Sequence, residues 1–343
     1  MNILITGGAG YIGSHLAKQL LETTNNEITI LDNLSTGSLK TLETLKTIRK
    51  FNFIQLDLKE FDEVNKVLKD NNFDVIVHFA ASIVVPESVE NPLKYYMNNT
   101  VNTTNLIKCA TQTDVKKFIF SSTAAVYGEP KDIPQTGIDE TFLTNPINPY
   151  GMSKLMSETV LKDSAKANPS LKFVIFRYFN VAGADIYYED SKLKPRIGQA
   201  FPNATHLIKI ASECAIGKRE KMAIFGEDFE TDDGTGVRDY IHVDDLASAH
   251  IKAIDYLDEN DSDVFNLGYG KGFSVKEVIT TMKDVTSKDF KVDIAPRRAG
   301  DPAILIADNA KFKSKFANAN TPLFQYEDIK LICKSAYEWE NHF

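Results

Sequence analysis

Three glycines and one carboxylate near the start of the chain have the spacing of a nucleotide-binding turn. Gly7, Gly10 and Gly13 follow a short apolar run and lead into an amphipathic stretch. Glycines at this spacing allow a tight turn, a close approach of the backbone to a pyrophosphate, and an anion at the helix N-terminus. Asp32 ends the next apolar run, where a carboxylate accepts hydrogen bonds from a ribose and repels a 2′-phosphate. A glycine triplet alone also occurs in ordinary turns, but together the two features predict NAD binding.

Tyr150 and Lys154 have the spacing of a proton-transfer pair. They are four residues apart in a predicted helix, which places the phenol and the ammonium on one face. The Lys154 charge and a positive nicotinamide ring both favour the phenolate. We therefore expect the pKa of Tyr150 to fall from about 10 toward working pH, which would make it a general base. Thr123 follows a predicted strand and offers a hydroxyl that could bridge substrate and phenolate. The same spacing is common on surface helices, so this interpretation depends on the nucleotide fold.

The elements that must position these groups alternate along the first half of the chain. Short apolar runs predict strands at residues 2–5, 28–31, 53–55, 74–79, 118–121, 173–176 and, further on, 263–267. Amphipathic stretches predict helices at residues 11–22, 61–69, 92–111, 150–167 and 274–284. Alternating strands and helices are typical of an α/β fold with a doubly wound parallel (Rossmann) sheet.

The second half has a different pattern. We expect residues 1–180 to form the NAD-binding domain, with later segments near 237–270 returning to it. Residues 181–343 are predicted to form a smaller, mixed α/β lobe. The polar segments 185–199 and 227–236 are interpreted as long surface loops, because no Pro/Ser/Gly-rich spacer separates two cores.

Composition excludes several classes of protein. The chain has 343 residues, of which 43% are hydrophobic and 25% charged, as in globular proteins. Its 47 acidic and 39 basic side chains give a net charge of −8, which argues against a nucleic-acid partner. No apolar run approaches a membrane span, and the first strand leaves no room for a signal peptide. Three scattered cysteines and histidines without ligand spacing predict a cytoplasmic protein with no metal and no membrane partner.

Taken in order along the chain, these motifs resemble the extended short-chain dehydrogenase/reductase family. The resemblance is carried by residues 6–13, 32–34, 78–80, 150–154 and 177–180. Two later segments, residues 236–243 and 295–301, resemble the UDP-hexose 4-epimerases within that family, and the UDP-glucose 4-epimerases in particular. The similarity extends over essentially the whole chain.

The resemblance implies an isomerase with a tightly bound NAD that is not consumed. Tyr150 would take a proton from the sugar O4 while a hydride passes from C4 to the nicotinamide, with Lys154 and Thr123 as the other catalytic residues. The keto sugar would rotate about its diphosphate and be reduced on its other face, which interconverts UDP-glucose and UDP-galactose. The family also implies a homodimer formed through helices 92–111 and 150–167.

By position, the resemblance also implies two sets of binding residues. Cofactor contacts are expected from Gly7, Gly10, Tyr11, Ile12, Gly13, Asp32, Asn33, Leu34, Ser35, Thr36, Gly37, Asp57, Leu58, Phe79, Ala80, Ala81, Ile83, Asn98, Ser121, Tyr150, Lys154 and Phe179. Substrate contacts are expected from Ser122, Thr123, Tyr150, Asn180, His206, Leu207, Ala223, Ile224, Phe225, Arg238, Arg298, Asp301 and Leu305.

Within the substrate set, the resemblance implies a role for each group. Arg238 and Arg298 would clamp the diphosphate as forked, permanently charged donors. Asp301 would meet the uridine ribose, residues 223–225 would form the uracil slot, and Asn180 would bind the diphosphate or the sugar.

One position near the hexose is implied to set the size of the sugar. A tyrosine there excludes an N-acetyl group, and a smaller residue admits it. The position falls on Leu305, or on Ile304 if the loop register slips. Both are smaller than tyrosine, so we expect activity on UDP-N-acetylglucosamine and UDP-N-acetylgalactosamine as well.

Other functions stay open at this point. Related 4,6-dehydratases carry a carboxylate pair after the catalytic hydroxyl, whereas here Ala124 and Ala125 follow Thr123, which disfavours elimination. A net oxidoreductase that releases NADH, another NAD-dependent enzyme that modifies UDP-sugars, and a non-catalytic NAD sensor remain alternatives. Tyr150 and Lys154 argue against the sensor, which needs no phenolate.

Overall fold

The computed structural model describes residues 1–201, 205–298, 301–317 and 322–343. Ala299 and Gly300, which belong to the segment 295–301, lie outside the described residues. The strands are β1 (Asn2–Thr6), β2 (Glu27–Asp32), β3 (Asn52–Gln55), β4 (Val75–His78), β5 (Lys117–Thr123), β6 (Lys172–Tyr178), β7 (Asn180–Ala182), β8 (Tyr188–Glu189), β9 (Lys192–Leu193), β10 (Lys221–Phe225), β11 (Val237–His242), β12 (Asp263–Leu267), β13 (Gly272–Ser274), β14 (Lys291–Ala295) and β15 (Ile304–Leu305).

Helices alternate with these strands. The α-helices are α1 (Tyr11–Thr23), α2 (Leu39–Ile48), α3 (Phe61–Asn71), α4 (Val85–Glu90), α5 (Pro92–Tyr95), α6 (Asn102–Thr111), α7 (Pro149–Ala167), α8 (Leu207–Ala215), α9 (Val243–Glu259), α10 (Val275–Thr286), α11 (Ala310–Phe316) and α12 (Ile329–His342). A π-helical turn, Tyr96–Val101, joins α5 to α6, and a 3₁₀ turn, Ala124–Tyr127, follows β5.

Seven strands form the central sheet, in the order β12-β6-β5-β4-β1-β2-β3. Strand β1 pairs with β2 and β4, β2 pairs with β3, and β4 pairs with β5, each in parallel register. Ile3, Leu4 and Ile5 of β1 are fully buried, as are consecutive residues of β4. Such continuous apolar strands are typical of a parallel sheet that is covered on both faces. The predicted doubly wound α/β fold is confirmed.

The order of the strands reverses between β1 and β4, and a crevice is expected at this point of the sheet. Strands β2 and β3 lie on one side of β1, while β4, β5 and β6 lie on the other. The chain that leaves β4 is tied to β1 by a hydrogen bond from the Phe79 N–H to the Thr6 carbonyl oxygen (3.0 Å). Open α/β sheets bind ligands in the crevice at such a reversal, outside the carboxyl ends of the strands.

One predicted helix differs from the structure. Residues 92–111 were expected to form a single helix, but α5 and α6 are separated by the π-helical turn. Asn99 lies in this turn and is buried, and its amide reaches the Ser82 carbonyl (2.9 Å) and the Ser153 hydroxyl (3.0 Å). The wider turn therefore accommodates a buried amide that a regular hydrophobic pattern does not reveal.

The chain forms two compact units. The first unit contains residues 1–128, 144–177 and 247–265. The second unit contains residues 129–143, 178–246 and 266–343. The expected division into 1–180 and 181–343 stays a prediction.

The second unit contains short sheets and long connections. Strand β11 pairs with β7 and β15 in parallel and with β13 in antiparallel register, while β10 pairs with β14. The polar segment 185–199 includes the small hairpin formed by β8 and β9. In the segment 227–236, the Asp233 carboxylate accepts from the Thr235 N–H (2.8 Å) and hydroxyl (2.6 Å), so this acidic stretch is folded back on itself.

Candidate functional site

The glycine turn after β1 is built by close backbone contacts. Gly7 has a positive φ of 74°, and a Cβ at this residue would lie 2.7 Å from the Ala80 nitrogen. A Cβ on Gly13 would overlap the Gly7 carbonyl oxygen and lie 2.8 Å from the Gly8 Cα. Gly10 is the N-cap of α1 and supplies no side-chain acceptor. Since the first N–H groups of a helix have no acceptor within it, the turn presents an anion-binding end.

Asp32 is fixed at the end of β2 by the backbone. Its Oδ2 accepts from the Ala9 N–H (3.0 Å) and its Oδ1 from the Leu34 N–H (2.8 Å). Burial raises the pKa of Asp32, and these two hydrogen bonds oppose that rise. A carboxylate has about four lone-pair positions, so the two oxygens can still accept from ribose hydroxyls. Gly37 is close as well, because a Cβ there would lie 2.8 Å from Oδ1.

The remaining predicted cofactor residues of the first unit occupy several places. Asn33 donates to the Asp57 carboxylate (2.9 Å), and Asn98 donates to the Ser82 hydroxyl (3.0 Å). Tyr11 and Ile12 are the first two residues of α1, and Leu58 is buried in the core. Ser35 and Thr36 lie in the loop after β2, and Ala81 and Ile83 lie in the loop after β4. Sequence reasoning missed the neighbouring Asn99, although a doubled asparagine inside an amphipathic stretch is a signal for a buried polar anchor.

The three predicted catalytic residues are brought together at the end of β5. The Thr123 hydroxyl forms a hydrogen bond with the Tyr150 phenol. The Lys154 ammonium donates to the Ser121 carbonyl oxygen (2.8 Å) and lies 5.0 Å from the centre of the Phe120 ring. These contacts connect one face of α7 to successive residues of one strand.

The expected fall in the Tyr150 pKa included the charge of a bound nicotinamide ring and stays a prediction; in the protein chain by itself the pKa moves the other way. Burial raises the pKa of Tyr150, because the phenolate loses hydration, and the hydrogen bond from Thr123 opposes this only in part. Burial also lowers the pKa of Lys154 to about 7, while the charge of Glu158 works in the opposite direction. The side chains that would create a phenolate are therefore in place, but the chain alone does not stabilise that charge.

Behind the catalytic residues lies a buried ion pair that sequence reasoning did not identify. Glu158 accepts from Arg177 Nε (3.0 Å) and Nη2 (2.8 Å) and from the Ser122 hydroxyl (2.5 Å). Ser122 was predicted to contact substrate, but its proton is donated within the protein and its side chain is buried. That prediction is untested, and this geometry does not favour it.

In the second unit, three predicted substrate residues meet at β11 and β15. Arg238 Nη2 donates to Asp301 Oδ1 (2.6 Å), and Arg238 Nη1 donates to the Val237 carbonyl oxygen (2.8 Å). Arg238 and Leu305 are direct partners in the parallel pairing of the two strands, as Val237 and Ile304 are. Register partners in parallel strands present their side chains on the same face. Leu305, rather than Ile304, therefore shares a face with Arg238.

The other predicted substrate residues lie elsewhere in this unit. The Arg298 guanidinium stacks 3.8 Å from the centre of the Phe225 ring, at the end of β10, which also carries Ala223 and Ile224. His206 precedes Leu207 at the start of α8, and its Nδ1 is 2.9 Å from Gln199 Nε2. Asn180 pairs with Tyr240 between β7 and β11, and the preceding Phe179 donates its N–H to the Leu267 carbonyl oxygen (3.1 Å).

Comparison with known proteins identifies the family. A model of the NAD dependent epimerase/dehydratase family matches residues 3–268. The chain belongs to this family. Two relatives named UDP-glucose 4-epimerase are similar over nearly full length: one from Azospirillum brasilense is 42% identical over 98% of this chain and 91% of its own. The other, from Lacticaseibacillus casei, is 43% identical over 100% of this chain and 98% of its own.

Solved structures of two 4-epimerases resemble the whole chain. The UDP-Glc/GlcNAc 4-epimerase from Campylobacter jejuni is 57% identical, with a TM-score of 0.84, and covers 100% of this chain and 99% of that one. The UDP-glucose 4-epimerase from Bifidobacterium longum, solved with NAD+ and UDP, is 35% identical, with a TM-score of 0.90. It covers 100% of this chain and 98% of that one.

NAD is the cofactor of this family, and the residues of the first unit fit it. The Gly7–Gly13 turn packs so closely on its own backbone that a Cβ at Gly7 or Gly13 would not fit, and the Asp32 carboxylate is held beside it by the Ala9 N–H. In the described part of the chain, no group of three or more His, Cys, Asp or Glu side chains could hold a metal ion. No helix in that part is both long and apolar enough to cross a bilayer.

The crowding at Gly13 predicts a loss of stability in Gly13→Ala. The new methyl would push against the Gly7 and Gly8 backbone, and such overpacking costs about 1–3 kcal/mol. Thermal denaturation measures the loss. Gly10→Ala is the matched control, because its Cβ meets only the Gly7 carbonyl oxygen, at 3.2 Å. Equal losses in the two variants would contradict the contact at Gly13.

Proposed function

We propose that this chain is a UDP-hexose 4-epimerase that interconverts UDP-glucose and UDP-galactose while NAD stays bound. The observation that carries the proposal is the contact of Thr123 with Tyr150 one helical turn before the buried Lys154. Relatives with the epimerase name share about 40% identity over nearly the whole chain. Ala124, which follows Thr123, is buried and has no acid or base to offer for elimination.

In the proposed reaction, each side chain has a defined task. Tyr150 takes the proton from the sugar O4 and later returns it, while the Thr123 hydroxyl aligns the phenol oxygen. The Lys154 ammonium stabilises the phenolate by charge. The residues of the first unit would hold NAD, which when bound would supply the acceptor and donor of the C4 hydride and a second positive charge that favours the phenolate. Because burial raises the pKa of Tyr150, both positive charges are needed.

Removal of the phenol oxygen should stop turnover without loss of the fold. Tyr150→Phe keeps the ring and its packing but has no group to accept the proton, so we expect turnover to fall by about 100-fold or more. The assay follows UDP-galactose conversion by NMR with no added NAD. Tyr188→Phe, on an exposed hairpin, is the control and should behave as wild type.

The outcomes separate the proposed function from its alternatives. Wild-type conversion to the C4 epimer without added NAD supports an epimerase with retained cofactor. Growth of NADH absorbance in proportion to substrate would indicate a net oxidoreductase instead. No conversion of the UDP-sugar even with added NAD would favour another UDP-sugar enzyme or an NAD sensor.

The second unit supplies the groups for the UDP moiety. Arg238 and Arg298 would bind the diphosphate, Asp301 the ribose, and Phe225 would lie beside the uracil. Both guanidinium groups are held by the protein, one by Asp301 and the other over Phe225. Side chains that are held in place lose less conformational freedom when they bind a ligand, which supports this assignment.

Leu305 supports the acceptance of N-acetylated sugars. It shares a face with Arg238, so we propose that it borders the part of the substrate that follows the diphosphate. A leucine leaves more room there than a tyrosine. The structural relative from Campylobacter jejuni is described as a UDP-Glc/GlcNAc 4-epimerase, which agrees with activity on both kinds of sugar.

A larger side chain at this position should separate the two activities. In Leu305→Tyr we expect UDP-N-acetylgalactosamine turnover to fall about tenfold or more, because the ring fills the space of the acetamido group, with UDP-galactose turnover largely kept. Product ratios from NMR measure both rates. Leu305→Met nearly conserves volume and should keep both activities. Unchanged rates for the tyrosine variant would remove Leu305 from sugar selection.

We also propose a homodimer through the helices of the first unit. Leu93, Met97 and Val101 recur every four residues along α5 and the π-helical turn, and they are 73%, 57% and 39% exposed. Met156 of α7, which packs on this turn, is 44% exposed. Contiguous apolar side chains of this kind usually mark an interface.

Charges on this apolar stripe should separate the subunits. Leu93→Lys combined with Met97→Lys would place two ammonium groups in the interface, so light scattering after size exclusion should report a monomer. Leu143→Lys changes an exposed leucine outside the stripe and should leave the mass unchanged. A double variant that keeps the wild-type mass would rule out this surface.

We propose that the enzyme works in the cytoplasm without nucleic-acid, membrane or metal partners. Cys109, Cys214 and Cys333 are buried thiols without disulfides, which agrees with a reducing compartment. The net charge of −8 supports small anionic substrates bound by local arginines rather than a polyanion.

A further inference from the structure

Glu158 is a fully buried carboxylate surrounded by donors. Its Oε1 accepts from the Ser122 hydroxyl (2.5 Å) and Arg177 Nε (3.0 Å), and its Oε2 from Arg177 Nη2 (2.8 Å) and Lys162 Nζ (3.0 Å). Arg177 Nη1 in turn donates to the Tyr127 hydroxyl (2.9 Å). A buried charge needs this degree of pairing, because an unpaired one is strongly disfavoured.

The carboxylate is connected to the catalytic residues from both sides. On β5, the Ser122 that it binds lies between Ser121, whose carbonyl accepts from Lys154, and Thr123, which bonds to Tyr150. On α7, Tyr150, Lys154 and Glu158 follow each other at four-residue intervals, which places all three on one face of the helix. Glu158 therefore joins the same strand and the same helix one turn beyond Lys154.

Glu158 also supplies the negative charge near Lys154. His78 of β4 is neutral, because burial and the Lys154 charge lower its pKa to about 3, and the Glu87 carboxylate of α4 is partly exposed and paired with Lys94. Arg177 and Lys162 are cations bound to Glu158 itself, and Tyr127 is bound to Arg177. Tyr95 of α5 is bound to Glu87 of α4. Burial lowers the pKa of Lys154 to about 7, and only Glu158 acts in the opposite direction among the described residues.

We propose that Glu158 is a positioning residue of the epimerase: it holds Ser122 so that Thr123 meets Tyr150, and it keeps a negative charge one turn from the Lys154 ammonium. This inference rests on the proposed function, because the reaction needs a charged Lys154 beside the phenolate. It goes beyond that function by assigning a role to a residue that touches neither substrate nor cofactor.

The test is the pH profile of kcat in Glu158→Gln. The amide keeps the size and one acceptor oxygen but removes the charge, so Lys154 should lose its proton at a lower pH. We expect the alkaline limb of kcat for UDP-galactose to move down by about one pH unit, as is usual for loss of a nearby opposite charge. KM should change by less than about twofold, because no substrate contact is removed.

Matched variants separate charge from structure. Glu158→Asp keeps the charge and should restore most of the alkaline limb. Tyr127→Phe removes a hydrogen bond of the same cluster without changing its charge. It should lower the melting temperature but leave the pH of the alkaline limb of kcat unchanged. Lys162→Met removes a partly exposed cation and should move the limb upward, opposite in sign to Glu158→Gln.

The proposal is overturned if Glu158→Gln lowers kcat by the same factor at every pH, because a merely structural role predicts that result. If Glu158→Gln does not fold, an unmoved limb in Lys162→Met overturns it instead. A wild-type protein without epimerase turnover would contradict the proposed function only. In that case the pKa of Lys154 can still be measured by NMR from the pH dependence of its ¹³Cε chemical shift, with the signal assigned by its loss in Lys154→Met. The proposal requires this pKa to be lower in Glu158→Gln than in the wild type.

Discussion

Burial of the Lys154 ammonium is the constraint on which the catalytic end of the first unit depends. A buried ammonium loses its hydration, and among the described residues its contacts are one carbonyl oxygen and the face of an aromatic ring rather than a carboxylate. The compensating negative charge is Glu158, which is itself held by Arg177. If Glu158 is the positioning residue we propose, the geometry at the end of β5 and the charge beside Tyr150 both depend on this buried pair.

The raised pKa of Tyr150 indicates that the protein without its cofactor does not make this phenol a strong base. Burial disfavours the phenolate, and Lys154 is itself weakened as a cation because its own pKa is lowered to about 7. A positive ring bound at the reversal of the sheet would stabilise the phenolate, and it would do so strongly in a site removed from water. In the proposed enzyme, the strength of the base is therefore coupled to the presence of oxidised cofactor.

Much of the fold followed from the sequence, because its signals are local. Continuous apolar runs predicted the parallel strands, and the glycine spacing predicted the turn whose backbone contacts exclude a Cβ. The π-helical turn could not be predicted, since its cause is a tertiary contact of the buried Asn99. The effect of burial on the Tyr150 pKa could not be predicted for a similar reason: spacing shows that Lys154 is near, but it does not show how much water both groups lose.

The nucleotide side of the proposed site raises the question of whether Arg238 and Asp301 can both bind substrate while they bind each other. Their ion pair uses Arg238 Nη2 and Asp301 Oδ1. The other carboxylate oxygen remains available to accept from a ribose hydroxyl, and a guanidinium has five N–H donors in a planar fork, so further donors can meet a phosphate. The pair therefore need not break when UDP binds. It fixes the orientation of both groups beforehand, which is how a protein with a net charge of −8 can present a cation at one defined position.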